Sequence, residues 1–331
     1  MYGYIDRQGN QVIPTIYEYA TSFTNGIAAV YENNKTKFIS KSGETLLDTE
    51  YFGVNNFSCG RALFQSNGKF GYLDIHGMIV IPPKFEHAYD FSEGYATVVI
   101  PNGITSGIAF IDVNGNFIND QIYNNSMHFK DGIVSVQHPS GKHGCINAAG
   151  EYVIDPISED YNSFSDGLAR ISVEGKIGYI DCKGQIVISP QFGFAGNFQE
   201  GMAVISKRNK FGFINRLGEV IVDTKYNDAE NFYEQLAPVK LGRNWGYLNP
   251  DGEFVIEPKF TSASCFREGI AFVYDKKNIT MLKRNMEMIE LGDQYERLES
   301  FSEGLSVVTI RERRKTYPIT IHSTEVTFYK N

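Results

Sequence analysis

Residues Gly68 to Ile100, GKFGYLDIHGMIVIPPKFEHAYDFSEGYATVVI, decide the fold, because their pattern returns about nine times along a chain of 331 residues. With Gly71 as position zero, the equivalent positions are Gly3, Lys37, Gly71, Ala109, Gly144, Gly178, Gly212, Gly246 and Thr280. The steps between them are 34, 34, 38, 35, 34, 34, 34 and 34 residues. A fixed short period is the mark of an array whose units bury their apolar faces on one another.

Each column has a physical reading. Position zero is followed by two apolar residues, as in Tyr72-Leu73 or Tyr247-Leu248. Neighbours on a strand point to opposite faces, so this first strand is covered on both sides. A turn follows, with Asp6, Asp74, Asp112 or Asp181 three residues before a glycine. Such short polar loops read as hairpin turns. The second strand carries Val80-Ile81 or Val255-Ile256, and Pro14, Pro82, Pro156, Pro190 and Pro258 read as its end, because proline cannot donate to a ladder. An aromatic (Tyr17, Phe85, Phe260) and, six residues later, a phenylalanine (Phe23, Phe91, Phe266) plug the next loop onto the core. After the F-S-E-G turn, a third strand sets Ala28, Ala62, Ala96, Ala169, Ala203, Ala237 and Ala271 two residues before a large apolar residue. That spacing puts both on one face, and a column of alanines implies that two layers approach closely.

The residues Trp245-Gly246-Tyr247-Leu248-Asn249, Val255-Ile256-Glu257-Pro258-Lys259-Phe260 and Phe266-Arg267-Glu268-Gly269-Ile270-Ala271-Phe272-Val273 resemble the bacterial WG repeat family. Only this copy keeps the tryptophan; Phe70, His143, Ile177 and Phe211 replace it elsewhere. The resemblance covers nearly the whole chain. It implies tandem β-rich repeats and no particular chemistry.

The first repeat starts on its first strand, with none before it, while the tail carries a third strand of its own, Leu305–Ile310. Stretches 317–321 and 325–329 then read as a closing hairpin. A four-stranded propeller blade takes roughly 40–45 residues, more than this period allows. The expectation is an all-β chain: a single array of about nine three-stranded β-meander repeats of about 34 residues, in an open twisted solenoid. Repeats start near 3, 37, 71, 109, 144, 178, 212, 246 and 280, with 301–331 as a C-terminal cap. A closed propeller-like ring is the alternative.

Composition bounds the function. Hydrophobic content of 42% with 14% aromatic supplies a core and argues against disorder. The net charge of −8 disfavours nucleic acid as a partner, and no apolar run is long enough to insert in a membrane. The chain enters its first repeat at once, so it is expected to be cytoplasmic, or secreted if a leader has been cut away. Cys59, Cys145, Cys182 and Cys265 fall in four different columns without CxxC spacing, which suggests free thiols in a reducing compartment.

Catalytic patterns are weak. The turn column mixes Asp6, Asp74, Asp112 and Asp181 with Asn147, Asn215, Asn249, Ser40 and Lys283, so it asks for a hydrogen-bond acceptor rather than an anion. His76, His87, His128, His138, His143 and His322 share no metal-ligand spacing and read as surface residues. No catalytic residue, metal ligand or cofactor site is assigned, and the chain is not expected to be an enzyme. Two charged columns stand out: Lys35, Lys69, Lys142, Lys176 and Lys210, two before zero, and the acids Glu93, Asp131, Asp166, Glu200, Glu234 and Glu268. Both suit solvated turns that guard strand edges, or a binding surface. A four-residue insertion at 101–107, containing Asn102, is the one lengthened loop, and insertions often lie on a binding face. The basic run 311–315 reads as a solvated loop. The function expected is a non-catalytic scaffold that binds a protein along an extended face. Alternatives are a carbohydrate or cell-envelope module using exposed aromatics, and, more weakly, an enzyme with its site near 101–107.

Overall fold

Each apolar column of the repeat becomes a strand. The computed structural model describes residues 1–51, 53–102, 105–126, 128–159, 164–275, 278–292 and 294–310, and its strands form nine antiparallel sheets. One sheet shows the plan: across it lie Asp228–Ala229, Ala237–Leu241, Asn244–Leu248 and Phe254–Phe260. We name these the short, alanine, glycine and proline strands, after their sequence columns. The alanine strand ends one sequence repeat, and the glycine and proline strands begin the next.

That offset joins the two ends of the array. Among the described residues, Tyr2–Asp6 is a glycine strand with no alanine strand before it, and Leu305–Ile310 is an alanine strand with no glycine strand after it. The two pair antiparallel, Tyr2 opposite Thr309 and Asp6 opposite Leu305. With Gln11–Tyr17 and Tyr295–Leu298 they complete a four-stranded sheet. Left apart, each end would present an unpaired row of backbone donors and acceptors. The expected open solenoid is therefore corrected: the chain is a nine-bladed β-propeller ring whose closing blade is shared by both ends. Four-stranded blades fit the short period because the short strand has only two residues in most of them, as in Asp228–Ala229 or Ser262–Ala263. The hairpin expected at 317–329 and the basic run 311–315 lie outside the described residues.

Counting from the closing blade as blade 1, blades 2 to 9 span 19–48, 62–85, 87–112, 133–158, 164–192, 194–226, 228–260 and 262–292. The core is divided among nine clusters, each between two neighbouring blades. Between blades 8 and 9, Tyr247, Ile256 and Phe260 meet Ala263, Phe266, Ala271 and Val273. The alanine column lies in these interfaces, at most 1% exposed, where small side chains let the sheets approach. Tyr4, Tyr72, Tyr179 and Tyr247 lean on the phenylalanine of the next blade with ring centroids 4.9, 4.7, 4.7 and 5.1 Å apart. Their hydroxyls donate to the carbonyls of Thr21, Tyr89, Gly196 and Ser264 at 2.6–2.8 Å, and burial pushes all four phenols well above the ordinary tyrosine range.

The proline and glycine columns share one cause. Prolines do not end the second strand as expected; Ile79–Phe85 and Phe254–Phe260 run through them on a bulge. In blade 8, Trp245 pairs with Phe260 and Tyr247 with Ile256, so the proline strand carries extra residues between them. Proline is tolerated at a bulge because no ladder donor is needed there. The bulge brings backbone over position zero: a Cβ on Gly246 would lie 2.4 Å from the Ile256 carbonyl oxygen and 2.8 Å from the Pro258 nitrogen. Blade 2 has Lys37 at zero, and there Lys37 pairs directly with Asp48 and Phe38 with Leu47, without extra residues.

Candidate functional site: the two faces of the ring

Antiparallel pairing sends the connections of every blade to one of two faces. One face holds the E-G turns and the Asp turns, since Ala237, just after one, pairs with Leu248, just before the other. The opposite face holds the hairpins between alanine and glycine strands.

On the first face, the E-G column forms two-residue hairpins whose central residues both have positive φ, such as Glu93 (52°) and Gly94 (84°). This is the type I′ turn that matches strand twist. Its two central N–H groups point outward, and in six of the nine turns the acid of the preceding blade takes one or both. Glu93 accepts from Asp131 and Gly132, both at 2.8 Å. Glu200 accepts from Glu234 and Gln235 at 2.6 and 2.7 Å, and Glu268 from Glu303 and Gly304 at 2.6 and 2.7 Å. Asp166, Glu234 and Glu303 reach Gly201, Gly269 and Gly26. The last bond crosses the closure from blade 1 to blade 2. Serines add a parallel set: Ser58, Ser92 and Ser302 donate to the carbonyls of Phe91, Phe129 and Phe23.

These acids are therefore interblade clasps rather than merely solvated turn residues. Two carry a cation as well, Arg7 on Glu268 at 2.6 Å and Lys41 on Glu303 at 3.0 Å. Burial pushes the Glu268 carboxyl up, but Arg7 and the two turn amides outweigh it and hold the group below its usual range. Lys41 and the amide of Gly26 hold Glu303 down likewise. The Asp turns beside them work as their mixed composition implies. Asp74 Oδ1 accepts from His76 and Met78, Asn215 Oδ1 from Leu217 and Glu219, and Ser40 Oγ from Glu44.

The opposite face gathers the lysine column. Lys35, Lys69, Lys142, Lys176 and Lys210 open the glycine strands, or directly precede one, in blades 2, 3, 5, 6 and 7, one per hairpin. Lys35, Lys142 and Lys176 are exposed and Lys69 and Lys210 half-buried. None of the five makes an ion pair among the described residues. Glu159 sits among them, its carboxyl held low by the amides of Gly175 and Glu174 across the blade 6 hairpin, with Lys142 nearby. Lys207, Arg208 and Arg243 add cations on the hairpins of blades 7 and 8.

The inserted residues lengthen one hairpin: Tyr95–Asn102 pairs with Thr105–Asp112, with Asn102 opposite Thr105. Residues 103–104, its tip, lie outside the described residues. Ser106 donates to Glu86 beneath it.

Two clusters of exposed and half-buried rings stand out. Tyr19 lies between Tyr2 and Tyr31 at blades 1 and 2, its ring centroid 5.4 Å from each. Phe70, His87, Tyr89 and His128 form a ladder with centroids 4.8, 4.9 and 5.2 Å apart. His143 is buried, at 5% exposure, and not a surface residue as expected. His138 shares a turn with Ser140, Nδ1 to Oγ 2.9 Å. Cys59 and Cys182 are exposed free thiols, Cys265 is a half-buried one, and Cys145 is buried. Among the described residues, no helix is long and apolar enough to cross a membrane.

Seven segments, 2–35, 38–70, 70–103, 144–176, 177–211, 211–245 and 245–277, match the family described as WG containing repeat. The chain belongs to the WG repeat family. The matched segments pass over the copies with Ala109 and Thr280 at position zero. No curated protein matches this WG repeat chain. Among solved structures, the ring is similar to a crystal structure of the eukaryotic initiation factor, at 10% identity and a TM-score of 0.60, over 88% of this chain and 96% of that one. A looser likeness, at 14% identity and a TM-score of 0.43, joins it to BamB from Moraxella catarrhalis over 93% and 97% of the two chains. At such identities the likeness concerns the fold alone.

Proposed function

We propose that this WG repeat ring is a non-catalytic scaffold that binds another protein through its hairpin face, and that the partner presents an acidic surface there. The observation that carries this reading is the alignment of Lys35, Lys69, Lys142, Lys176 and Lys210 on one face, one per blade, without ion pairs among the described residues. Rows of cations on a rigid frame steer an acidic partner and set its register. The absence of catalysis is supported by the way the repeated carboxylates are used: they hold turns and clasp blades. The three free thiols fit a reducing, cytoplasmic compartment.

The test is affinity capture from the source cell with the native ring and with Lys176→Glu/Lys210→Glu. A partner retained by the first and lost from the second, with capture weakening as salt rises, supports the reading. Equal capture by both sinks it. A second reading, carbohydrate binding, is favoured by the ladder of Phe70, His87, Tyr89 and His128, whose open rings could stack on sugars. A glycan array probed with native protein and Tyr89→Ala separates the two.

A further inference from the structure

Three turns receive no carboxylate from the preceding blade among the described residues: Asp166-Gly167 on blade 6, which Asp131 does not reach, and two adjacent ones on blades 3 and 4. At the position where Glu93, Glu200, Glu234, Glu268 and Glu303 reach forward, blade 2 has Asn25 and blade 3 has Cys59. The turns that these would clasp are Cys59-Gly60, on blade 3, and Glu93-Gly94, on blade 4. Both have the same left-handed pair as the clasped turns, φ 51° and 71° in one and 52° and 84° in the other. Both therefore present the same two outward N–H groups, and among the described residues no side chain takes them. Successive outward amides of this kind form a concavity for an anion.

A cation stands with them. Arg61 donates through Nη1 to the Gly60 carbonyl at 3.0 Å and through Nε to the Val113 carbonyl at 2.9 Å, so it spans from the blade 3 turn to the Asp turn of blade 4. Among the described residues it makes no ion pair. The clasps onto blades 1 and 2 combine the same parts: turn amides with Arg7 for Glu268, and turn amides with Lys41 for Glu303. In blades 3 and 4 the amides and the cation are in place, while the chain's own residues are an amide and a thiol.

We infer that the turns Cys59-Gly60 and Glu93-Gly94, with Arg61, form a binding site for an acidic peptide that supplies two side-chain carboxylates, one to each turn. The ring itself specifies the ligand chemistry, since it fills the equivalent turns with carboxylates six times. Two sites one blade apart favour a ligand with two linked carboxylates over a lone one, because the second contact becomes intramolecular. The site lies on the face opposite the lysine row, so it is independent of the function proposed above.

The probe is an N-acetylated, C-amidated octaglutamate, titrated into the whole chain at low salt by calorimetry, with octaglutamine and glutarate alongside. Asn25→Glu and Cys59→Glu place a carboxylate in cis on the two turns. Both should fold, because glutamates already occupy this backbone conformation at φ 52–53° in Glu93, Glu200, Glu234, Glu268 and Glu303. Octaglutamate should bind the native ring. The double variant should weaken binding by at least about tenfold and each single variant by at least about fivefold, while Ser42→Glu, which adds the same charge as a single variant in the Asp turn of blade 2, changes it by less than about threefold. Lys176→Glu/Lys210→Glu should leave binding unchanged. Octaglutamine should not bind, and glutarate should bind more weakly. The inference is overturned if the native ring ignores octaglutamate, if the filled variants bind as well as native, if Ser42→Glu is as harmful as they are, or if only the lysine variants lose binding.

Discussion

Glu268→Ala removes one interblade clasp and leaves every strand intact. The lost carboxylate has three partners, Glu303 N and Gly304 N at 2.6 and 2.7 Å and Arg7 at 2.6 Å. Hydrogen bonds to charged groups contribute roughly 1.5–3 kcal/mol each when buried. This side chain is 28% exposed and Arg7 47%, so water screens the ion pair and replaces part of each bond; exposed pairs give at most about 1 kcal/mol. A net loss of about 1.5–2 kcal/mol follows, which lowers Tm by roughly 3–5 °C. The pH dependence identifies the cause. A carboxyl depressed in the folded state stabilises above its unfolded value of about 4.3, and that contribution is lost as pH falls through the lower folded value. Urea unfolding at pH 7 should give the full difference between native and variant, and that difference should shrink as the pH is lowered below the unfolded value. A difference that persists in acid, or one at pH 7 no larger than that of Glu44→Ala, an exposed acid in a neighbouring turn, would refute the clasp.

Gly246→Ala should destabilise by about 3 kcal/mol, at the upper end of overpacking, since the new methyl meets the backbone of Ile256 and Pro258; a loss below about 1 kcal/mol in urea unfolding would count against the bulge. Val308→Asp puts a charge on the closing strand at a site with 0% exposure. An unpaired buried charge there costs several kcal/mol, so scattering should report an opened or expanded particle, and a native-sized ring would contradict the closure. Burial pushes the Tyr123 phenol up to about 12, and Tyr4, Tyr72, Tyr179 and Tyr247 higher still. Their contribution to stability is therefore complete below the unfolded value of about 10 and lost as pH rises, so ultraviolet titration should show these phenols ionising only on alkaline unfolding.

Local features were legible in the sequence and long-range ones were not. The free exchange of Asp for Asn in the turn column reads directly as a need for an acceptor, and Asn215 and Asp74 perform it. The alanine column announced close-packed sheets because side-chain size limits how near they come. The direction of the clasps was hidden: recurrence of Glu200 and Glu234 says that the position matters, but their contact is made between blades, 34 residues apart. Proline misled because it is equally at home at a strand end and at a bulge, and only the glycine opposite distinguishes the two. Closure was written in the sequence as a missing first strand and a surplus last one. It is masked there because a two-residue strand such as Asp228–Ala229 leaves almost no sequence pattern. The lysine row could be placed on one face from its period alone; what meets it could not.

The pairing of Tyr2 with Thr309 has a consequence for biosynthesis. At roughly 5–20 residues per second, the ribosome needs between about 15 and 60 seconds to deliver the partner of the first strand. Through that interval the nascent array keeps an open ladder at its leading end, and contacts of such long sequence separation form slowly. A product that stalls short of Leu305 never covers that ladder, so incompleteness is advertised to chaperones and proteases until the final strand arrives.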